Sequence, residues 1–228
     1  FSINKNIRKK GEIMRIDVNL VVIIGRINSN NTVNMLGTGF IINNDGVIVT
    51  SRHVVSDDDK NLCVIISNIK NINEYQDISD NKCNMSKAKI IKSDPFRDIT
   101  ILKADIKYQG NIFDLGTTDE VDGGEDVLIV GYPHCVSGRR ALTFQKAMVG
   151  SKVLLECQEI KSKHIVVNTQ TRPGQSGSLI YSVRHNKVIG MLVGTFAFDC
   201  GVQIAGINPN ELNQTTHCIS SEYIKNML

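Results

Sequence analysis

The chain has 228 residues, of which 41% are apolar and 21% charged, with a formal net charge of +3. That length can bury a substantial core, as one large domain or as two small ones sharing an interface. A nearly balanced charge gives no reason to expect a nucleic-acid or membrane-surface partner, and no apolar run approaches the roughly 18 residues of a membrane span.

Short runs rich in Ile and Val, separated by turn residues, dominate the pattern from end to end. A basic cluster at Lys5, Arg8, Lys9 and Lys10 opens the chain and reads as a solvated arm. Strands are then predicted over 18–27, 37–42 and 47–51, with Asn44-Asp45-Gly46 joining the last two as a hairpin. Further strands are predicted over 63–66, 88–93 and 100–104. A polar stretch, 115–125, divides the chain near its middle, and a boundary is placed there, giving units 1–115 and 116–228. The second unit has predicted strands over 127–131, 145–149, 164–167, 178–181, 187–196 and 202–208. Only 220–228 reads as a helix, with Ser220 or Ser221 as cap and Tyr223, Ile224, Met227 and Leu228 on its apolar face. So many strands at short spacing predict an all-β protein of two antiparallel units rather than a parallel α/β sheet. A site assembled from both halves then lies in the cleft between them.

Six cysteines (Cys63, Cys83, Cys135, Cys157, Cys200 and Cys218) are scattered without a C-x-x-C pair or a zinc-ligand spacing, so no metal and no cofactor is expected. They read as free, mostly buried thiols, which leans weakly toward a reducing intracellular compartment. Asn-x-Ser/Thr triplets begin at Asn30, Asn84 and Asn213, as chance allows in so asparagine-rich a chain.

Three residues stand where chemistry needs them. Ser176 lies in Arg172-Pro-Gly-Gln-Ser-Gly-Ser178, just before a predicted strand, where glycines let the backbone fold tightly and turn N–H groups inward beside the hydroxyl. His53 follows the strand 47–51, and a titratable ring fixed at the edge of a rigid element suits a general base. Asp98 stands at the start of the apolar run 99–102, able to fix the ring's tautomer. Asp94, before Pro95, competes with it but reads better as a turn initiator. The order His53, Asp98, Ser176, with separations of 45 and 78 residues, differs from the serine–acid–histidine order of α/β-hydrolases.

Gly37-Thr-Gly-Phe-Ile-Ile42 followed by Gly46-Val-Ile-Val-Thr-Ser-Arg-His-Val-Val55 resembles the histidine region of trypsin-like serine peptidases of the HtrA/Do-like branch. Asp98-Ile-Thr-Ile-Leu-Lys103 resembles that branch's aspartate motif, Val130-Gly-Tyr-Pro133 its mid-chain turn, and Pro173-Gly-Gln-Ser-Gly-Ser178 its serine motif. Cys218-Ile-Ser-Ser-Glu-Tyr-Ile-Lys225 is similar to the segment entering its C-terminal helix. The resemblance implies two chymotrypsin-like barrels with a short C-terminal helix. It also implies a serine endopeptidase in which Ser176 attacks, His53 transfers the proton and Asp98 orients His53, with the N–H groups of Gly174 and Ser176 as oxyanion hole. The implied partner is a protein or peptide substrate, and the oligomeric state is left open.

Departures from the family matter as much. Gln175 stands where secreted trypsins carry the aspartate that pairs with a new N-terminus, so activation by that ion pair is not expected. Ser178 replaces a glycine and Leu179 a proline. The chain ends just after its helix, so regulation by a PDZ module does not carry over. By the same resemblance Gln170 lies at the base of the S1 pocket and Val193, Gly194 and Thr195 form its wall. A neutral base favours a neutral P1 residue of small to medium size, although Asp199 is near enough in sequence to reverse that. The competing reading is a catalytically silent or latent trypsin-fold module that holds a peptide in the cleft. A thiol nucleophile at Cys135 or Cys63 lacks the glycine-rich surroundings such a group needs.

Overall fold

The computed structural model describes residues 16–80, 82–196 and 215–228. Among them, twelve strands close into two antiparallel barrels of six. The first contains β1 (Val21–Ile27), β2 (Val33–Ile41), β3 (Val47–Ser51), β4 (Leu62–Ile66), β5 (Asn84–Asp94) and β6 (Ile99–Ala104), in the order β1-β2-β3-β6-β5-β4. The second contains β7 (Asp126–Gly131), β8 (Thr143–Cys157), β9 (Ile160–Val167), β10 (Leu179–Ser182), β11 (Lys187–Phe196) and β12 (Thr215–Ser220), in the order β10-β11-β12-β9-β8-β7. Closure leaves neither sheet with an edge along the barrel wall.

Local chemistry explains the turns. The β2–β3 hairpin forms at Asn44-Asp45-Gly46 as expected: Asn43 Oδ1 accepts from the N–H groups of Asp45 and Val47, and Gly46 takes φ +80°. Asp94 is the turn former, its Oδ1 accepting from Phe96 N and Arg97 N while Oδ2 pairs with Arg97. Several expectations were too short or misplaced. β8 runs eight residues past the predicted end at 149, because pairing with β9 carries the strand through Gly150-Ser151-Lys152, where the apolar pattern breaks. β12 was not predicted as a strand. Its Thr216, His217 and Cys218 show no clean alternation, and pairing with β9 and β11 decides its form. The strand predicted over 202–208 lies outside the described residues. His53 sits not at a strand end but in a single helical turn, α1 (Arg52–Val55). The C-terminal helix, α2 (Glu222–Lys225), is shorter than predicted. Ser221 holds its N-cap position, yet its hydroxyl bonds Gly116 O and Val188 O rather than capping.

Two apolar clusters fill the molecule. One lies inside the second barrel, around Ile129, Val149, Ile165, Ile180, Ile189 and Leu192. The other fills the first barrel and continues across the contact between the two, taking in Tyr132, Cys135, Leu142, Leu179 and Met191. Cys63, Cys135 and Cys218 are buried there as free thiols; burial pushes Cys63 up to about 11 and Cys135 up to about 12. Cys157 is exposed.

Polar contacts then stitch the barrels together. Thr38, fully buried on β2, donates its hydroxyl to Gly174 O at 2.8 Å and accepts from Tyr132 N at 3.0 Å. Gln76 makes a two-way amide bridge to the backbone of Leu142, 2.8 Å in each direction. Substituting Thr38→Val keeps the shape but leaves a buried N–H and a buried carbonyl unpaired, so urea denaturation is expected to show a loss of about 2–5 kcal/mol. Brief alkylation of the native chain is expected to modify Cys157 well before Cys63, Cys135 and Cys218, read by peptide mass spectrometry.

Candidate active site

The histidine and the aspartate are locked together twice. Asp98 Oδ2 lies 2.6 Å from His53 Nδ1, and Asp98 Oδ1 accepts from the His53 backbone N–H at 2.8 Å. A carboxylate can only accept, so it places the ring proton on Nδ1 and leaves Nε2 as the basic nitrogen. The Asp98 carbonyl also accepts from Arg52 N at 3.0 Å, so α1 is fastened to the start of β6 by three bonds. Asp98 achieves this grip at φ +55°, a left-handed conformation that aspartate tolerates better than most residues. The His53 side chain remains half exposed.

Ser176 is delivered to the same cleft from the other barrel. Its carbonyl accepts from Thr38 N at 2.9 Å. A single acceptor, Leu192 O, binds Gly177 N at 2.8 Å and Ser51 Oγ at 3.1 Å, which ties the residue after the serine to the residue two before the histidine. Gly37 sits between them: a Cβ there would meet the Val54 side chain at 2.8 Å and Ser176 O at 3.2 Å. No hydrogen bond joins the His53 ring to Ser176 Oγ.

The serine loop has a specific pattern of satisfied and open donors. Gln175 N bonds Arg172 O, Gly177 N bonds Leu192 O and Ser178 N bonds Gln175 O. Gly174 N and Ser176 N have no acceptor among the described residues. The Pro173 carbonyl accepts from His134 N at 2.7 Å, and in a trans peptide the following N–H of Gly174 must point the opposite way. Gly174 (φ +93°) and Gly177 (φ +86°) are irreplaceable on two grounds. Besides the positive φ, a Cβ would lie 2.7 Å from Cys135 Sγ at the first and 2.0 Å from Thr38 O at the second.

Gln175 is only 1% exposed, and its amide is fully engaged by neutral groups. Oε1 accepts from Arg172 N at 2.7 Å and Nε2 donates to Gln145 Oε1 at 3.2 Å. Gln145 in turn donates to Thr169 Oγ1 and to Gln170 O. A buried amide satisfied this way needs no cationic partner. Sequence reasoning missed Gln145, Thr38 and Ser51, which support the loop through tertiary contacts and carry no motif of their own. Ser178 is buried against Gly131, where a Cβ would come within 1.8 Å of its hydroxyl.

Of the residues expected around the S1 pocket, Gln170 precedes the serine loop while Val193, Gly194 and Thr195 lie on β11. Gln170 is exposed and its Oε1 accepts from Arg172 at 3.2 Å. Val193 and Gly194 are half-buried on β11, Gly194 pairing with His217 and Thr195 with Thr216 of β12. Thr216 Oγ1 donates to Thr169 O and lies 3.4 Å from Thr171 Oγ1. Burial holds His217 and its ring neighbour His164 below the usual histidine range. Asp199 lies outside the described residues. Cys135, weighed earlier as a nucleophile, is sealed in the core with its thiol held protonated. Among the described residues, no helix is long and apolar enough to cross a membrane and no cluster of His, Cys, Asp or Glu could hold a metal ion.

Comparison with known proteins matches residues 37–191 to the trypsin-like peptidase domain family. A probable periplasmic serine endoprotease, DegP-like, of Ectopseudomonas mendocina is 30% identical over 68% of this chain and 28% of its own length. One of the same description from Bartonella henselae is 26% identical over 71% of this chain and 28% of its own length. The chain therefore spans a little over a quarter of the curated relatives it matches. In fold it is similar to the MamO protease domain of Magnetospirillum magneticum, apo form (TM-score 0.67, 16% identity, 92% of this chain and 96% of that one). It is also similar to the HtrA-type protease AlgW with decapeptide (TM-score 0.67, 16% identity, 92% and 63%). The lean toward a reducing intracellular compartment is overturned, since the relatives are named periplasmic. Free thiols were poor evidence, because Cys63, Cys135 and Cys218 are buried and a buried thiol is shielded in any compartment. With motifs in order, two closed barrels and a family match across most of its length, the chain belongs to the trypsin-like peptidase domain family, in its HtrA-type branch.

Proposed function

We propose that the chain is a serine endopeptidase acting through Ser176, His53 and Asp98. The observation that carries this reading is the double grip of Asp98 on His53, which leaves Nε2 as the basic nitrogen of the ring. In the proposed reaction Ser176 Oγ attacks the peptide carbonyl as His53 takes its proton. The acyl-enzyme forms when His53 returns that proton to the leaving amine, and water then repeats the sequence to release the acid. Asp98 stabilises the imidazolium throughout. The open N–H groups of Gly174 and Ser176 support an oxyanion hole, where one donor is worth roughly 3 kcal/mol in the transition state.

AlgW is described with a decapeptide, and by analogy we assign this chain a peptide or protein substrate. The relatives' names favour an extracytoplasmic location. Gln170, Val193, Gly194 and Thr195 are the proposed S1 residues. The alternative, a latent or silent trypsin-fold module, draws on the absent bond between His53 and Ser176 and on a related fold described as an inactive form.

Fluorophosphonate labelling separates the two readings. The native chain is expected to label at Ser176 and Ser176→Ala not at all. Labelling that survives the substitution refutes the nucleophile, and equal absence in both chains favours the latent module. Asp98→Asn is expected to lower kcat about 10⁴-fold, because an amide at that point fixes the wrong tautomer. Cleavage profiling on a peptide library is expected to favour neutral P1 residues of small to medium size; dominance of Arg or Lys overturns the pocket assignment.

A further inference from the structure

β8 and β9 continue beyond the second barrel. β7 pairs with β8 only as far as Met148, and β12 pairs with β9 only from His164 onward. What remains is a two-stranded hairpin that projects from the barrel, with Cys157 opposite Ile160 at its tip. Gln158 and Glu159 close it with φ of 49° and 68°, the pair of positive values of a two-residue turn of type I′. Such a turn closes on a hydrogen-bonded pair, so the bonded pairs recur at Leu155–Ser162 and Val153–His164. The alternation then directs the N–H and C=O groups of Lys152, Leu154 and Glu156 to the outer side of β8. Among the described residues no strand pairs there. Leu154 is 62% exposed and Leu155 40%. A row of open backbone groups carrying large apolar side chains is a template for another strand.

The sequence of this edge specifies what that strand is. A two-fold axis through Leu154 sets an antiparallel copy so that Leu154 faces Leu154, Val153 faces Leu155 and Lys152 faces Glu156, the last pair occurring twice. This register joins outward-facing backbone groups to outward-facing backbone groups and is the one that brings both Lys152–Glu156 pairs together. Moving the axis by one residue still opposes outward-facing groups but sets Lys152 opposite Leu154 or Gln158, so both Lys–Glu pairs are lost. The existing partners of the two charges compete weakly: Lys152 Nζ reaches Asp119 O at 3.4 Å, and Glu156 pairs with Lys161 at 3.7 Å on the exposed surface.

We propose that residues 152–156 of β8 form an isologous interface with the same segment of a second copy of this chain, joining two second barrels edge to edge. An interface of this kind is self-complementary by symmetry.

Sedimentation velocity of the full 228-residue chain across a concentration series provides the test. The native chain is expected to pass from monomer to a species of twice the mass as concentration rises. Lys152→Glu, which opposes Glu to Glu twice, is expected to weaken association at least tenfold. The double variant Lys152→Glu with Glu156→Lys is expected to restore it, since the two-fold axis again sets opposite charges face to face. Leu154→Lys is expected to hold the chain monomeric. A native chain that stays monomeric throughout overturns the proposal. So does a dimer indifferent to Lys152→Glu and Leu154→Lys, or one that the charge swap fails to recover.

Discussion

Thr38 is the residue on which the arrangement turns, because all of its polar groups are spent on contacts that define the cleft. Its N–H holds the Ser176 carbonyl, its carbonyl accepts the Thr50 hydroxyl, and its own hydroxyl joins Tyr132 N to Gly174 O. These bonds lie in the fully buried seam between the barrels, where an unpaired donor or acceptor is costly. The serine loop is therefore seated on β2 of the opposite barrel. The spacing of His53 and Ser176 follows from how the barrels dock, since no single strand carries both.

Around that seam the loop is stiffened by neutral hydrogen bonds. Gln175 and Gln145 form a buried amide relay, and His134 holds the Pro173 carbonyl so that Gly174 N–H is turned away from it. A salt bridge in the same place would have to repay the desolvation of two charges. An amide pair avoids that cost and is satisfied without a cationic partner. The open donors at Gly174 and Ser176 are the remainder after every neighbouring N–H has found an acceptor.

Much of this was legible in the residues. The turn at Asn44-Asp45-Gly46, the role of Asp94 and the two exactly bounded strands β3 and β11 follow from short-range chemistry: side chains that bond their own backbone, and dense Ile and Val between breakers. The single helical turn carrying His53 was not legible, because four residues with two β-branched valines have no helical signature. What shapes that turn is Asp98, reaching from the start of β6 to grip both the ring and the backbone of His53. The thiols are free and mostly buried as read, and only the compartment drawn from them was wrong. A buried thiol carries no mark of the compartment around the protein.

The sequence by itself determined the all-β class, the order of histidine, aspartate and serine, and the neutral character of position 175. Each of these depends on residue type and on neighbours a few positions away. Only the tertiary structure decided that Gln145 completes the Gln175 amide, that Thr38 seats the serine loop, and that β8 outruns its barrel to expose an edge. The first two depend on groups 30 and 136 residues apart coming together, and the third on where β7 and β12 stop accompanying β8 and β9; contacts of that kind leave no local trace in the chain.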